Sequence, residues 1–343
     1  MSKRKLTRRQ SWRIKKIQEE RLARAEKKAR TSLEKIGTDT LGPEQEGTVI
    51  SHYGAALDVE DLQGNVYRCS ARQNIGDLVC GDQVIWQPAH DQSGVIVALK
   101  PRKSLLARPD FYRQLKPVAA NIDQILVVVA PQPELSTDLI DRYLVAAEII
   151  HIPPVIVVNK IDLLDQTELE LLKQQLEEFK IVGYQIIYTS TKQSHGLDSL
   201  VAQLNEKTSI FVGHSGVGKS SLIKTLLPSE AIKIGELSEA TGKGKHTTSV
   251  TRLYHLQEGG DLIDSPGVRD FGLWNISPDQ LAFGFVEFRQ YIGQCKFADC
   301  RHKVEPGCAI QAALKEKKIT QRRLDSFHRI LSSLHTDEMN HNV

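Results

Sequence analysis

The chain has 343 residues, 40% hydrophobic and 25% charged, with a formal net charge of +3, a composition that suits a globular protein of two or three domains. Its longest purely apolar run, Ile125 to Ala130, is far short of the about 20 residues that cross a bilayer, and residues 1–35 lack the apolar stretch of a secretory signal, so no membrane association and a cytoplasmic location are expected. Five cysteines, an odd number in a long intracellular chain, point to metal binding or burial rather than to a disulfide framework.

The charge is unevenly spread. Residues 1–35 hold 14 Lys or Arg against 4 Glu, while the whole chain has 45 basic and 42 acidic residues, leaving 31 and 38 for the remainder. A cationic stretch with one aromatic, Trp12, cannot bury a core, so residues 1–40 are expected to form a disordered, RNA-contacting tail.

From 41 to 104 the pattern is short alternating segments at Gly47–Ile50, Ala55–Val59, Val66–Cys69, Asp82–Trp86 and Gly94–Ala98, separated by Gly, Asn and Asp turns. Five strands without a helical period predict an all-β OB-fold barrel. Tyr67, Arg68 and Arg72 are its candidate RNA contacts, and Cys69 and Cys80 read as small buried apolar residues.

The stretch Pro101 to Pro117, rich in proline and basic residues, reads as a linker. Through residues 105–275, apolar strands at Ile122–Ala130, Val155–Val158, Tyr184–Thr189 and Ser209–Val212 alternate with amphipathic helices at Thr137–Ile150, Glu168–Phe179, Leu197–Leu204 and Lys219–Leu227. That alternation predicts a doubly wound α/β domain with ligands at the carboxyl ends of its strands. Residues 276–343 are expected to form a small, mostly α domain with a Cys/His cluster and a basic helix around Lys315 to Arg329.

Three loops carry the chemistry. Gly213, His214, Ser215, Gly216, Val217, Gly218, Lys219 and Ser220 fit G-x-x-x-x-G-K-S between a strand and a helix, so backbone N–H groups from Gly213 to Ser221 can converge on phosphate oxygens, with Lys219 on the β/γ-phosphates and Ser220 on Mg²⁺. Asn159-Lys160-Ile161-Asp162 follows a strand directly. The Asp162 carboxylate can accept from guanine N1–H and N2–H₂, Lys160 can cover the ring, and Asn159 can tie this loop to the phosphate loop. Ser190, after the next strand, can reach the guanine carbonyl side through its backbone N–H. In Asp264-Ser-Pro-Gly267, Asp264 can hold Mg²⁺ through water and the Gly267 N–H can touch the γ-phosphate. Thr247 or Thr248, in the Gly/Lys/Thr stretch Thr241–Thr248, can supply a further Mg²⁺ oxygen.

These are GTPase loops in an unusual order, with N-K-x-D ahead of the phosphate loop and D-x-x-G. With a barrel before them and a Cys/His cluster after them, residues 40–335 resemble the ribosome small-subunit-dependent GTPase A family, a circularly permuted GTPase. The resemblance implies a bacterial GTPase that acts late in maturation of the small ribosomal subunit, with that subunit, its rRNA and GTP/GDP as partners. A monomer is expected. Cys295, Cys300, His302 and Cys308 lie within 14 residues and suit a closed, structural Cys₃His zinc site; the family has a zinc site at matching positions. Val268 stands where many GTPases carry a water-orienting Gln, so His246, beside the threonines, is the expected water-positioning residue and, with Lys219, the expected catalytic pair. The alternative is an RNA-binding scaffold that retains GTP without hydrolysing it. Val268 favours the scaffold, and Lys219, Ser220, Asp264 and the threonines favour the enzyme.

Overall fold

The computed structural model describes residues 41–53, 56–73, 75–89, 91–109, 114–228, 251–265, 272–273 and 276–339. They fall into two compact units, residues 41–102 with 251–253, and residues 103–228 with 254–339. The tail 1–40, the threonine stretch 241–248 and Gly267 lie outside the described residues.

In the first unit β1 (Gln45–Tyr53), β2 (Ala56–Asp61), β3 (Val66–Ala71), β4 (Gln83–Pro88) and β5 (Ser93–Leu99) form a barrel. β1 to β3 make an antiparallel meander, β3 runs parallel to β5, β5 is antiparallel to β4, and β4 closes on β1. A bulge between Val49 and Ser51 bends β1 so that one strand serves two neighbours, as closure requires. Alternation along β2 sends Leu57 and Val59 inward onto Cys69, Val84, Trp86 and Ile96. Cys80 is also fully buried. Tyr67 packs on Trp86 with ring centroids 4.6 Å apart. Arg68 pairs with Asp58 at 2.7 Å and lies over Tyr53, and Arg72 donates to Gln87 at 3.2 Å.

The expected linker at 101–117 contains structure instead. β6 (Leu105–Pro109) and β7 (Leu115–Ala120) pair as an antiparallel two-stranded sheet with a register shift after Leu106. In a lone ribbon each strand has one unpaired edge, so Pro109 and Pro117 are tolerated, and they hide two strands, of which β6 buries Leu106 and β7 buries Ala119 and Ala120.

The second unit continues with β8 (Gln124–Val129), β9 (Pro154–Val158), β10 (Gln185–Tyr188), β11 (Thr208–Val212), β12 (Arg252–His255, whose last two residues belong here) and β13 (Asp261–Asp264). The sheet order is β10-β9-β8-β11-β13, with every one of these pairs parallel. Every residue of β8 and β9 is buried, because helices cover both faces. These are α1 (Thr137–Ile149), α2 (Gln166–Val182), α3 (Asp198–Leu204) and α4 (Lys219–Leu226). Local sequence fixes their ends: Ser136 caps α1, and Asp165 with Glu168 forms a capping box on α2, which stops at Gly183 with φ 110°.

The C-terminal part consists of α5 (Pro278–Gly284), a 3₁₀ segment Val286–Tyr291, α6 (Ala309–Lys315) and α7 (Gln321–Met339). The basic helix expected around Lys315 to Arg329 is broken at 316–320, where Lys317 takes φ 60° and Ile319 is buried. Phe285, Phe288 and Phe327 form the centre of this part, and Val145 of α1 belongs to the same core, so residue 276 lies inside one compact unit.

Candidate nucleotide and metal sites

From β8 the chain steps outward through β9 to β10, then returns to place β11 on the other side of β8. The crevice between the carboxyl ends of β8 and β11 is therefore the topological switch point, where open α/β sheets bind ligands.

The phosphate loop stands there. It leaves β11 after Val212 and enters α4 at Lys219. Gly213, with φ 140°, passes so close to β8 that an added Cβ would lie 2.2 Å from the Val128 carbonyl oxygen. Val217 is buried and anchors the loop, whereas His214, Ser215, Gly216, Ser220 and Ser221 are exposed. Lys219 Nζ donates to the carbonyls of Gly213 and His214 at 2.5 and 2.7 Å, which holds its charge inside the curve where phosphate oxygens would gather. The opening turn of α4 adds backbone N–H groups and the positive end of the helix dipole.

The second loop locks onto the first. Asn159, 2% exposed, donates through Nδ2 to the Val217 carbonyl at 3.0 Å and accepts from Thr189 Oγ1 at 3.2 Å. Gly218, with φ 99°, lets this amide approach, since an added Cβ would be 2.3 Å from Asn159 Nδ2. Lys160 Nζ donates to the carbonyls of Gly216 and Gln132 at 2.6 and 2.9 Å. Asp162 sits in the 3₁₀ turn Ile161–Leu163; its carboxylate accepts from Ser190 Oγ at 2.5 Å and lies 3.7 Å from Lys192 Nζ.

Ser190 differs from expectation. Its N–H is committed to the Gly196 carbonyl at 3.1 Å, so its contribution is the hydroxyl that orients Asp162. Asp264 ends β13, the strand beside β11, and so stands at the same carboxyl edge as the phosphate loop. His246, Thr247, Thr248 and Gly267 are outside the described residues.

Cys295, Cys300, His302 and Cys308 come together as the spacing anticipates, their ligand atoms all within 4.8 Å of one another. Cys295 Sγ is 3.9 Å from Cys308 Sγ, and His302 Nδ1 is 3.6 and 3.4 Å from those sulfurs. A tetrahedral ion with metal–sulfur bonds of about 2.3 Å sets its sulfurs about 3.8 Å apart, so this donor set fits a metal ion. Burial pushes the Cys300 thiol up to about 12, with the crowding of Cys308 and Cys295 adding to it, and burial lowers the His302 imidazole. Thiols held this way ionise once a cation takes the centre.

Glu305 went unnoticed in the sequence. Its carboxylate accepts backbone N–H bonds from Arg301, Lys303 and Val304 at 3.0, 2.8 and 3.1 Å, and the backbone N–H groups of its own turn hold it down to about 2. Gln311 Nε2 donates to the His302 carbonyl at 2.8 Å. The available signal was an acid inside the turn between two ligands.

Comparison with known proteins agrees with this geometry. The RsgA GTPase family model matches residues 99–274. Among curated relatives, the small ribosomal subunit biogenesis GTPase RsgA of Hahella chejuensis is 52% identical over 343 residues, covering 99% of each chain. That of Pseudomonas aeruginosa is 49% identical over 334 residues, covering 97% of this chain and 98% of its own. Among solved structures, YjeQ from Thermotoga maritima superposes with a TM-score of 0.71 at 33% identity, over 85% of this chain and 99% of that one. YloQ, described as a circularly permuted GTPase, gives 0.68 at 29% identity, over 86% and 96%.

Proposed function

Since this chain belongs to the RsgA GTPase family and is a GTPase of small-ribosomal-subunit biogenesis, we propose that its nucleotide state governs its stay on the maturing small subunit, and that docking there completes the hydrolytic site. The observation that carries the reading is the lock between the two nucleotide loops, Asn159 to Val217 and Lys160 to Gly216, which joins base choice to phosphate binding in one rigid crevice.

In this reading Asp162, oriented by Ser190, accepts from the two guanine donors that adenine lacks. The N–H groups of Gly213 to Ser221 hold the phosphates, Lys219 neutralises the β/γ-oxygens, and Ser220 with Thr247 or Thr248 would hold Mg²⁺ directly and Asp264 through water; the ion, when bound, draws charge from the phosphate oxygens. Water attacks the γ-phosphorus, the bond to the β–γ bridging oxygen breaks, and GDP and phosphate leave. Val268 has no polar side-chain atom to orient that water, so the imidazole of His246 takes the task when the chain is docked on the subunit. The scaffold alternative loses its ground, because relatives that match end to end are named as GTPases.

Cys295, Cys300, His302 and Cys308 are the ligands of one structural zinc ion. Three thiolates and an imidazole close the coordination shell, which suits Zn²⁺ and leaves no position for a reacting group. The cationic tail 1–40 contacts rRNA, with Tyr67, Arg68 and Arg72 of the barrel as further candidates. The protein acts as a monomer in the cytoplasm.

Phosphate release measured with and without small subunits tests the proposal. The isolated chain should turn over slowly and the subunit should raise the rate by orders of magnitude, each tenfold being about 1.4 kcal/mol of barrier. His246→Ala should retain GTP and subunit binding and lose most of the stimulation. A rate indifferent to subunits would refute the docking step, and full stimulation of the variant would remove His246 from the chemistry.

A further inference from the structure

Behind the nucleotide loops, residues 131–136 lead from β8 into α1 and lie against both loops. The Gln132 carbonyl accepts the same Lys160 ammonium that donates to Gly216. The nearest atoms to a Cβ built on Gly216 are Pro133 Cδ and Cγ, at 3.6 and 4.0 Å. This strap therefore touches the base-covering lysine and the phosphate loop together, and α1 begins at its end.

The opposite side of α1 is held by the C-terminal part. Asp138 accepts Arg329 Nε and Nη2 at 2.8 and 2.7 Å. Asp141, fully buried, accepts Arg322 Nη1 at 2.7 Å and also Arg323. Glu148 accepts Arg289 Nη2 at 2.6 Å. Val145, between them, enters the C-terminal core so closely that a Cβ on Gly284 would meet its Cγ1 at 2.5 Å. The Asp141 pairs are buried and those of Asp138 and Glu148 are partly exposed; with Val145 between them, they tie α1 to the C-terminal part along its length.

We infer that the C-terminal part is the rear brace of the guanine-nucleotide site: through Asp138, Asp141 and Glu148 it fixes α1, and with it the strap behind Lys160 and Gly216, and so sets the affinity for GDP and GTP alike. The inference rests on the guanine-nucleotide reading of that site. These three acids are positioning residues, since they act through Gln132 and Pro133. The strap meets the base side and the loop backbone, which GDP and GTP engage equally, whereas Asp264, the candidate on the γ-phosphate side, ends β13, a strand the strap does not adjoin. The brace thus reports whether the site is filled, and by reciprocity a bound nucleotide tightens the C-terminal part.

The test uses the full chain with Arg289→Gln and Arg329→Gln together, whose ion pairs are partly exposed, so that the buried pairs of Asp141 keep the fold. Titration with fluorescent GDP and with a non-hydrolysable GTP analogue should show about fivefold or greater loss of affinity, equal for the two nucleotides, with KM for GTP raised and subunit-stimulated kcat unchanged. Arg329→Lys with Arg289→Lys should recover most of the affinity. An unchanged affinity, or a loss confined to the triphosphate, would overturn the inference. Hydrogen exchange on the wild-type chain tests it without any variant: GDP alone should slow exchange in α1 and α7 as much as the analogue does. Protection of the phosphate loop with no change in α7 would overturn the brace, whereas no protection of the phosphate loop would overturn the nucleotide reading beneath it.

Discussion

Alanine at Gly218 should do more damage than alanine two residues earlier, and the difference can be worked out from the loop. Gly218 has φ 99° and ψ 15°, a left-handed conformation that costs a residue with a Cβ roughly 1–2 kcal/mol. The new methyl would also stand 2.3 Å from Asn159 Nδ2, and Asn159 has no room to retreat while it bonds to Val217 and Thr189. Moving that amide leaves buried polar groups unpaired, worth about 1–3 kcal/mol, so the total is about 2–5 kcal/mol. Gly216 has φ 86°, and its nearest foreign atom to a Cβ is at 3.6 Å, so Gly216→Ala should lose only the conformational term of about 1–2 kcal/mol. Urea denaturation followed by circular dichroism gives the stability difference. GDP titration gives the functional one, expected to be tenfold or more weaker in Gly218→Ala because about 1.4 kcal/mol is a factor of ten. Equal losses in the two variants would show that Asn159 does not lock the loops together.

Asp162→Asn should weaken GTP binding and shift preference toward xanthosine triphosphate, whose ring carbonyl accepts from the new amide; equal GTP affinity would remove Asp162 from base selection. Asp141→Asn should destabilise by about 3 kcal/mol, the lower end for breaking a buried pair, since Glu287 still holds Arg323 and Glu178 still holds Arg322; a urea midpoint unmoved from wild type would refute this. The Arg329 guanidinium holds the Asp138 carboxyl below its ordinary 3.8, so the stability from this pair is present above 3.8 and is lost as pH falls through the lower folded value. Carbon-13 NMR titration should find the Asp138 midpoint rising toward 3.8 in Arg329→Gln, and no rise would disprove the pairing. Metal analysis should find one zinc per chain, and Cys300→Ser or chelation should loosen the helices around Cys308 and Phe327, because metal binding there is coupled to folding; a metal-free chain with unchanged near-ultraviolet dichroism would contradict it.

Much of the nucleotide crevice is legible in the sequence, because its parts are local. The all-apolar runs of β8 and β9 announce strands buried on both faces, Gly213 to Ser220 sits between a strand and a helix, and the four potential metal ligands lie within 14 residues. Each of these depends on neighbours a few positions away, so period and spacing suffice. The hairpin of β6 and β7 was hidden because prolines and basic residues imitate a linker, and only pairing of the two strands reveals that each has an edge where a missing N–H does no harm. Ser190 turned from a backbone donor into the support of Asp162 once Gly196 took its N–H. In the sequence Asp138, Asp141 and Glu148 are acids on an amphipathic helix, indistinguishable from a solvated face. Their arginine partners lie 141 to 191 positions later, and a periodicity records only whether a position is buried, never which distant chain buries it. Only the tertiary structure brings the two ends of that separation together, where Val145 of α1 joins the C-terminal core.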